Sequence, residues 1–175
     1  FKIGCACAGS EFAQGATKDL IKKHYNSLTL GNELKPDSVL DQALSQKYVA
    51  ETGDDTMPQI SLNEADEMLK FAGENKIPVR GHVLVWHSQT PDWFFKENFD
   101  PNGAWVSKDK MTKRLENYIK TVMETLKKDY PDVEFYAWDV VNEAASDAGT
   151  IRDAGSNNEV NGQSAWVKVY GDQSY

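Results

Sequence analysis

The residues able to do chemistry fall in three short stretches. The last of them, Tyr136-Ala137-Trp138-Asp139-Val140-Val141-Asn142-Glu143-Ala144, begins as an apolar strand and ends in the polar pair Asn142-Glu143. A carboxylic acid at the C-terminal end of a strand, where the chain opens into a loop, is well placed for proton transfer in a barrel enzyme. It serves equally well to solvate an ordinary strand end. The middle stretch carries His82, Trp86, His87, Gln89 and Trp93, and the first carries Asn32, Glu33 and Lys35. Tryptophan faces stack on the apolar faces of sugar rings, while Asn, Gln, Lys and His bond ring hydroxyls. The set is therefore complementary to a carbohydrate. Taken singly, each residue has a plainer reading. His82, Trp86 and Trp138 fit a core, Lys35 an exposed surface, and Glu33 a solvated loop. Only their joint placement argues for a site.

Other chemistries lack support. His82 and His87 have no third ligand at a zinc spacing. No cluster of hard carboxylates suits calcium, and no HExxH helix is present. No glycine-rich phosphate loop follows a strand. Neither a metal nor a cofactor is expected. With 27 acidic against 19 basic residues the net charge is −8, which disfavours a nucleic-acid partner. A neutral polymer is not disfavoured. No apolar run approaches the roughly 18 residues needed to cross a bilayer, so no membrane partner is expected. Cys5 and Cys7 are too close for an unstrained bridge and read as small buried residues. No signal peptide is visible, and Phe1 enters a strand directly, which suggests a removed N-terminus.

The elements that must position these residues alternate. Residues 1–8 read as a strand, 17–25 as a helix with Leu20, Ile21 and Tyr25 at helical spacing, and 27–30 as a second strand. Residues 39–49 are partly helical and 51–57 an exposed polar loop. Ser61 and Glu64 match a capping box, opening a helix that buries Leu62, Ala65, Met68, Leu69 and Ala72. Residues 79–86 make a third strand, 94–106 a loop, and 107–128 an amphipathic helix with Met111, Leu115, Tyr118, Ile119, Val122 and Leu126 on one stripe. Residues 133–141 make the fourth strand. The Gly/Ser/Asp/Asn-rich run 146–163 reads as loop. The tail from 166 holds no clear completed element. Strand and helix alternation predicts an α/β fold with parallel strands, either an open doubly wound sheet or a (β/α)8 barrel. In a barrel the C-terminal strand ends share one face, so the three stretches converge.

Three segments carry a resemblance. Gly31-Asn32-Glu33-Leu34-Lys35-Pro36-Asp37, Arg80-Gly81-His82-Val83-Leu84-Val85-Trp86-His87-Ser88-Gln89-Thr90-Pro91-Asp92-Trp93 and Trp138-Asp139-Val140-Val141-Asn142-Glu143-Ala144 resemble glycoside hydrolase family 10. They do so in order and over essentially the whole chain. The resemblance implies a (β/α)8 TIM barrel and an endo-1,4-β-xylanase acting on xylan or xylo-oligosaccharides with retention. It implies that Glu143 is the acid/base, that Asn142 bonds the sugar 2-hydroxyl, and that Asn32, Lys35, His82, Trp86 and Gln89 line glycone subsites. His87 and Asp139 resemble supports behind them. The family often has Glu where this chain has Gly31, which removes one sugar contact. The family's nucleophile is a Glu on a seventh strand, and no residue here matches it. A full barrel takes about 250 residues. Residues 1–175 are therefore expected to be the N-terminal half of one catalytic barrel, about its first four β/α units. A complementary C-terminal half would carry the nucleophile, and the half alone would have little activity. Secretion is implied by the family. A related β-1,4-glucanase and a non-catalytic xylanase-like carbohydrate-binding or inhibitor protein are the alternatives.

Overall fold

The computed structural model describes residues 1–152 and 164–175. Four parallel strands, β1 (Gly4–Cys7), β2 (Ser27–Leu30), β3 (Val79–Trp86) and β4 (Phe135–Asn142), lie side by side in chain order. Between them run α1 (Gly9–Phe12), α2 (Gly15–His24), α3 (Pro36–Val39), α4 (Gln42–Thr52), α5 (Asp66–Glu74) and α6 (Lys108–Asp129); α7 (Ala165–Tyr170) follows β4. This is the order of successive β/α units in a barrel wall.

The sheet has two unlike faces because side chains alternate along a strand. Leu28, Leu30, Val79, Val83 and Val85 are buried and build the core with Ile21, Met68, Leu69, Tyr118 and Val122 from the helices. The concave face is polar instead. Ser27 and Tyr136 share a hydroxyl–hydroxyl bond of 2.8 Å, and Arg80 and His82 both reach Asp139. Gly81 is required where it stands: a Cβ there would fall inside the Trp138 indole. That close approach lets β3 and β4 pair with Gly81 opposite Trp138.

Several boundaries move. The capping box at Ser61 does not form. Ser61 Oγ accepts from Asn63 N in a local turn, and α5 starts after Ala65. Leu62 and Ala65 are still buried, ahead of the helix rather than within it. Helix α4 runs to Thr52, into the expected loop, before Gly53 turns it off in the left-handed region (φ 74°). The 94–106 segment contains two short 3-10 turns, Asp92–Phe95 and Glu97–Phe99, whose Phe94, Phe95 and Phe99 are fully buried. The tail is also ordered: Ser164 caps α7, and Trp166 inserts its ring against Phe94 and Phe95. Of the predicted 146–163 loop, 153–163 lies outside the described residues.

Helix α6 forms as expected, capped by Ser107 accepting from Lys110 N. Its stripe differs in one place. Arg114 is fully buried, while Leu115 and Ile119 are only partly so. The guanidinium is tolerated because Nε and Nη1 are hydrogen-bonded and Nη2, which makes no hydrogen bond among the described residues, faces a carboxylate. Nε donates to Asp55 O at 2.9 Å, Nη1 donates to Phe94 O and Lys96 O, and Asp55 carboxylate lies 3.4 Å from Nη2. Burial pulls its pKa down to about 10, so it remains charged at neutral pH. Lys110 joins Asp55 to Glu97 beside it. One buried cation thus ties the 52–56 turn and the 92–99 turns to α6. Replacing Arg114 by Met leaves the carbonyls of Asp55, Phe94 and Lys96 without this donor and the Asp55 carboxylate with Lys110 and Asn98 N alone. In the full-length protein this change is expected to destabilise the domain by about 3–5 kcal/mol in urea denaturation, the range for breaking a buried pair from one side. A change under about 1 kcal/mol would show that the knot contributes little.

Candidate active site

The pairing of β3 with β4 sets the site. Their ladder ends with Trp86 opposite Asn142, which brings Glu143, the next residue, beside the Trp86 ring. Trp86 Nε1 donates to Glu143 Oε2 at 2.8 Å. The Glu143 side chain is half exposed. It is therefore held at one oxygen while remaining open to solvent. Its backbone is in the left-handed region (φ 50°), which a residue bearing a Cβ adopts at some cost. Arg152 folds back beneath it, Nε donating to Glu143 O at 2.6 Å.

The loop after β2 supplies a second cluster. Lys35, buried, donates through Nζ to Asn32 Oδ1 at 2.8 Å and Gln89 Oε1 at 2.7 Å, and stands 5.1 Å from the centre of the Trp86 ring. A desolvated ammonium over an indole is attracted by its quadrupole. Gln89 is itself in the left-handed region (φ 45°) and binds Asp37 through both backbone and side chain. Lys35, Asn32, Gln89 and Trp86 thus form one connected wall. Trp86 is also held from behind, because buried Trp166 donates Nε1 to Trp86 O at 3.0 Å.

His82 lies on the concave face of β3, its Nδ1 2.9 Å from Asp139 Oδ2. The other oxygen of Asp139 accepts from Arg80 Nε and Nη2 at 3.0 and 2.6 Å. Burial opposes ionisation of this carboxyl, but bonds from Arg80 and then His82 outweigh it and hold it below the ordinary carboxylate range. His87 packs edge-on against Trp86, ring centroids 5.9 Å apart. A cleft of about 520 Å3 on the concave face is lined by Gly31, Arg80, His82, Asp139 and Asn142.

The expected site residues therefore come together in two connected groups: Glu143, Trp86, Lys35, Asn32 and Gln89 in one, His82, Asp139 and Asn142 around the cleft in the other. Glu33 is not a solvated acid. It is buried and accepts from Gly9 N and Asn32 N, fastening the β1–α1 turn to the end of β2. Arg80 lay inside the second resembling segment without a role being read for it, and Arg152 carried no signal in the sequence beyond being a basic residue after the third. Among the described residues, no group of three or more His, Cys, Asp or Glu could hold a metal. Cys5 and Cys7 are free, burial pushing both thiols up.

The chain has known relatives in sequence and in fold. The sequence model of glycosyl hydrolase family 10 matches residues 1–175. The bifunctional endo-1,4-beta-xylanase XylA of Ruminococcus flavefaciens is 48% identical over 176 residues, covering 100% of this chain and 17% of that protein. Endo-1,4-beta-xylanase Y of Acetivibrio thermocellus is 44% identical, again over 100% of this chain and 16% of its own length. The chain thus spans about a sixth of these curated relatives. Among solved structures, the N-terminal endo-1,4-beta-D-xylanase 10B of Clostridium thermocellum, as its CBM22-1 and GH10 modules complexed with xylohexaose, superposes with TM-score 0.88 at 42% identity. It is covered to 33%, and this chain to 99%. The intracellular xylanase TsXylA of Thermoanaerobacterium saccharolyticum, as a mutant in complex with xylotriose, gives 0.73 at 31% identity over 98% of this chain and 46% of that one.

The Asp139 cluster has a measurable acid signature. A carboxyl lowered in the folded state stabilises it above the unfolded value, about 3.9, and that stability is lost as pH falls through the folded value. Asp139→Asn removes the titrating group. Between neutral pH and pH 3 the wild-type full-length protein is expected to lose more urea stability than Asp139→Asn does. Equal losses would show that the cluster is not coupled to folding.

Proposed function

Because the chain belongs to glycosyl hydrolase family 10, with four strands matching the first β/α units of a (β/α)8 barrel, we propose that the full-length protein is an endo-1,4-β-xylanase. It hydrolyses internal bonds of xylan with retention. The observation that carries this reading is the half-exposed Glu143 held by Trp86 beside a wall of Asn32, Lys35 and Gln89. As acid, Glu143 gives its proton to the glycosidic oxygen while the C1–O bond breaks. As base, it then takes a proton from the water that releases the glycosyl-enzyme. Asn142, His82 and the Lys35 wall bond the sugar hydroxyls, and Trp86 offers its face to a ring. Asp139 and His87 support His82 and Trp86 from behind.

A retaining mechanism needs a second carboxylate about 5–5.5 Å from the first. The other acids at these strand ends are engaged: Asp139 with Arg80 and His82, Glu33 with two backbone amides, Asp37 with Gln89. We infer that the nucleophile is a Glu on polypeptide outside these 175 residues, which completes the barrel of which residues 1–175 form the N-terminal half. Exposed Val140 (53%) and Val141 (43%) on β4 fit a further β/α unit packing there. A secreted enzyme would meet the polymer directly, although one relative is described as intracellular. Activity in cell-free culture medium against washed cells decides between the two.

In the full-length protein Glu143→Ala is expected to lower turnover of xylan by at least about 100-fold, the lower range for general acid–base catalysis. An aryl xylobioside with an activated leaving group, which needs little protonation, should lose less in its first step. Equal loss on both substrates removes the acid role. Faster turnover of carboxymethylcellulose than of xylan moves the reading to a β-1,4-glucanase.

A further inference from the structure

Beneath Glu143 lies a buried cation that this mechanism does not use. After β4 the chain makes a tight reversal: Ala145 bridges Ile151, Ser146 N donates to Thr150 O, and Gly149 turns in the left-handed region at φ 75°. The reversal returns Arg152 under the end of β4, where it is only 5% exposed. Its backbone N donates to Ala144 O at 3.2 Å, its Nε to Glu143 O at 2.6 Å, and its Nη2 lies 3.8 Å from Glu143 Oε2. Its Nη1 is buried with no hydrogen-bond partner among the described residues.

An unmet buried donor on a charged group costs free energy that an apolar side chain in the same space would avoid. Packing alone therefore does not account for an arginine here. The neighbouring strain does. Glu143 holds a left-handed backbone that its side chain disfavours, and its carbonyl is the group the guanidinium grips. Released, that peptide would relax toward extended backbone, and the carboxylate would swing away from Trp86.

We propose that Arg152 is a positioning residue for the acid/base, fixing the strained backbone of Glu143 so that its carboxyl stands at the Trp86 indole and the scissile oxygen. This rests on the reading of Glu143 given above.

The test is a double-mutant cycle in the full-length enzyme, with an activated aryl xylobioside on which Glu143→Ala retains measurable turnover. Arg152→Met is expected to lower kcat at least about tenfold, since misplacement by about 1 Å is enough for such losses. KM should change less than about twofold, as for an interaction made only in the transition state. Arg152→Lys should recover part of the loss. In the Glu143→Ala background, Arg152→Met should lower the residual kcat less than about twofold, because a residue acting only through Glu143 has nothing left to position. Equal losses in both backgrounds, or wild-type kcat in Arg152→Met, overturn the proposal alone. Undiminished kcat in Glu143→Ala overturns the acid/base reading and this proposal with it. If Arg152→Met loses its circular dichroism, Arg152→Lys carries the same cycle, with a smaller kcat loss expected that vanishes beside Glu143→Ala.

Discussion

In the β3–β4 ladder Trp86 stands opposite Asn142, and the cleft is built outward from that pair. The ladder shifts register between Val79 and Arg80 and again between His82 and Val85, and the register it reaches at its end fixes the residues that follow relative to each other. Glu143 meets the Trp86 indole because of it, and His82 meets Asp139 four residues earlier in β4. A slip of one residue would exchange the two faces of the sheet. It would turn Arg80, His82 and Asp139 into the apolar core and Val79, Val83 and Val85 toward the cleft. The hydrophobic core therefore also enforces the geometry of the polar site.

The polar concave face needs its own support, because a charged group out of water is stable only when paired. Asp139 bonds to both Arg80 and His82. Arg80 is half exposed and Asp139 one-fifth exposed, so the network is weaker than a dry ion pair, though several charges share it. Gly81 lies between Arg80 and His82 on β3, and its missing side chain admits Trp138. The indole then stacks on Phe135, centroids 5.2 Å apart, closing β3 against β4 on the apolar side.

Much of this was legible in the sequence, for identifiable reasons. Strands and the α6 stripe showed because burial imposes periods of 2 and 3.6 on apolar residues. Asn32, Lys35, His82, Trp86, Gln89, Asn142 and Glu143 showed because strand-end placement predicts convergence. What pattern reading could not supply was charge inside the fold. Arg114 sits at a fully buried position of α6, where hydropathy selects Leu115 instead. Asp55 lies in a run that looks solvated, yet Asn98 N, Lys110 and Arg114 close around it. Ser61 and Glu64 satisfied a capping rule while tertiary packing started the helix at Asp66. For Arg114 and Asp55 a long-range partner replaces the local preference, and such partners leave no mark on neighbouring residues.

Backbone strain is placed unevenly, and its placement bears on how the site works. Gln89 and Glu143 both take up left-handed φ just past the ends of β3 and β4. Continuing the pleat would carry each side chain along the strand line and away from the sugar wall. A left-handed residue breaks the pleat and redirects the side chain across the strand end. The cost, about 1–3 kcal/mol for each such residue, persists only where surroundings over-determine the conformation. Gln89 is held through Lys35 and Asp37. Glu143 is held through Trp86 at its carboxylate and Arg152 at its carbonyl. Trp86 is in turn fixed by Trp166 from α7. Helix α7 thus reaches the acid through two indoles in series, Trp166 and Trp86.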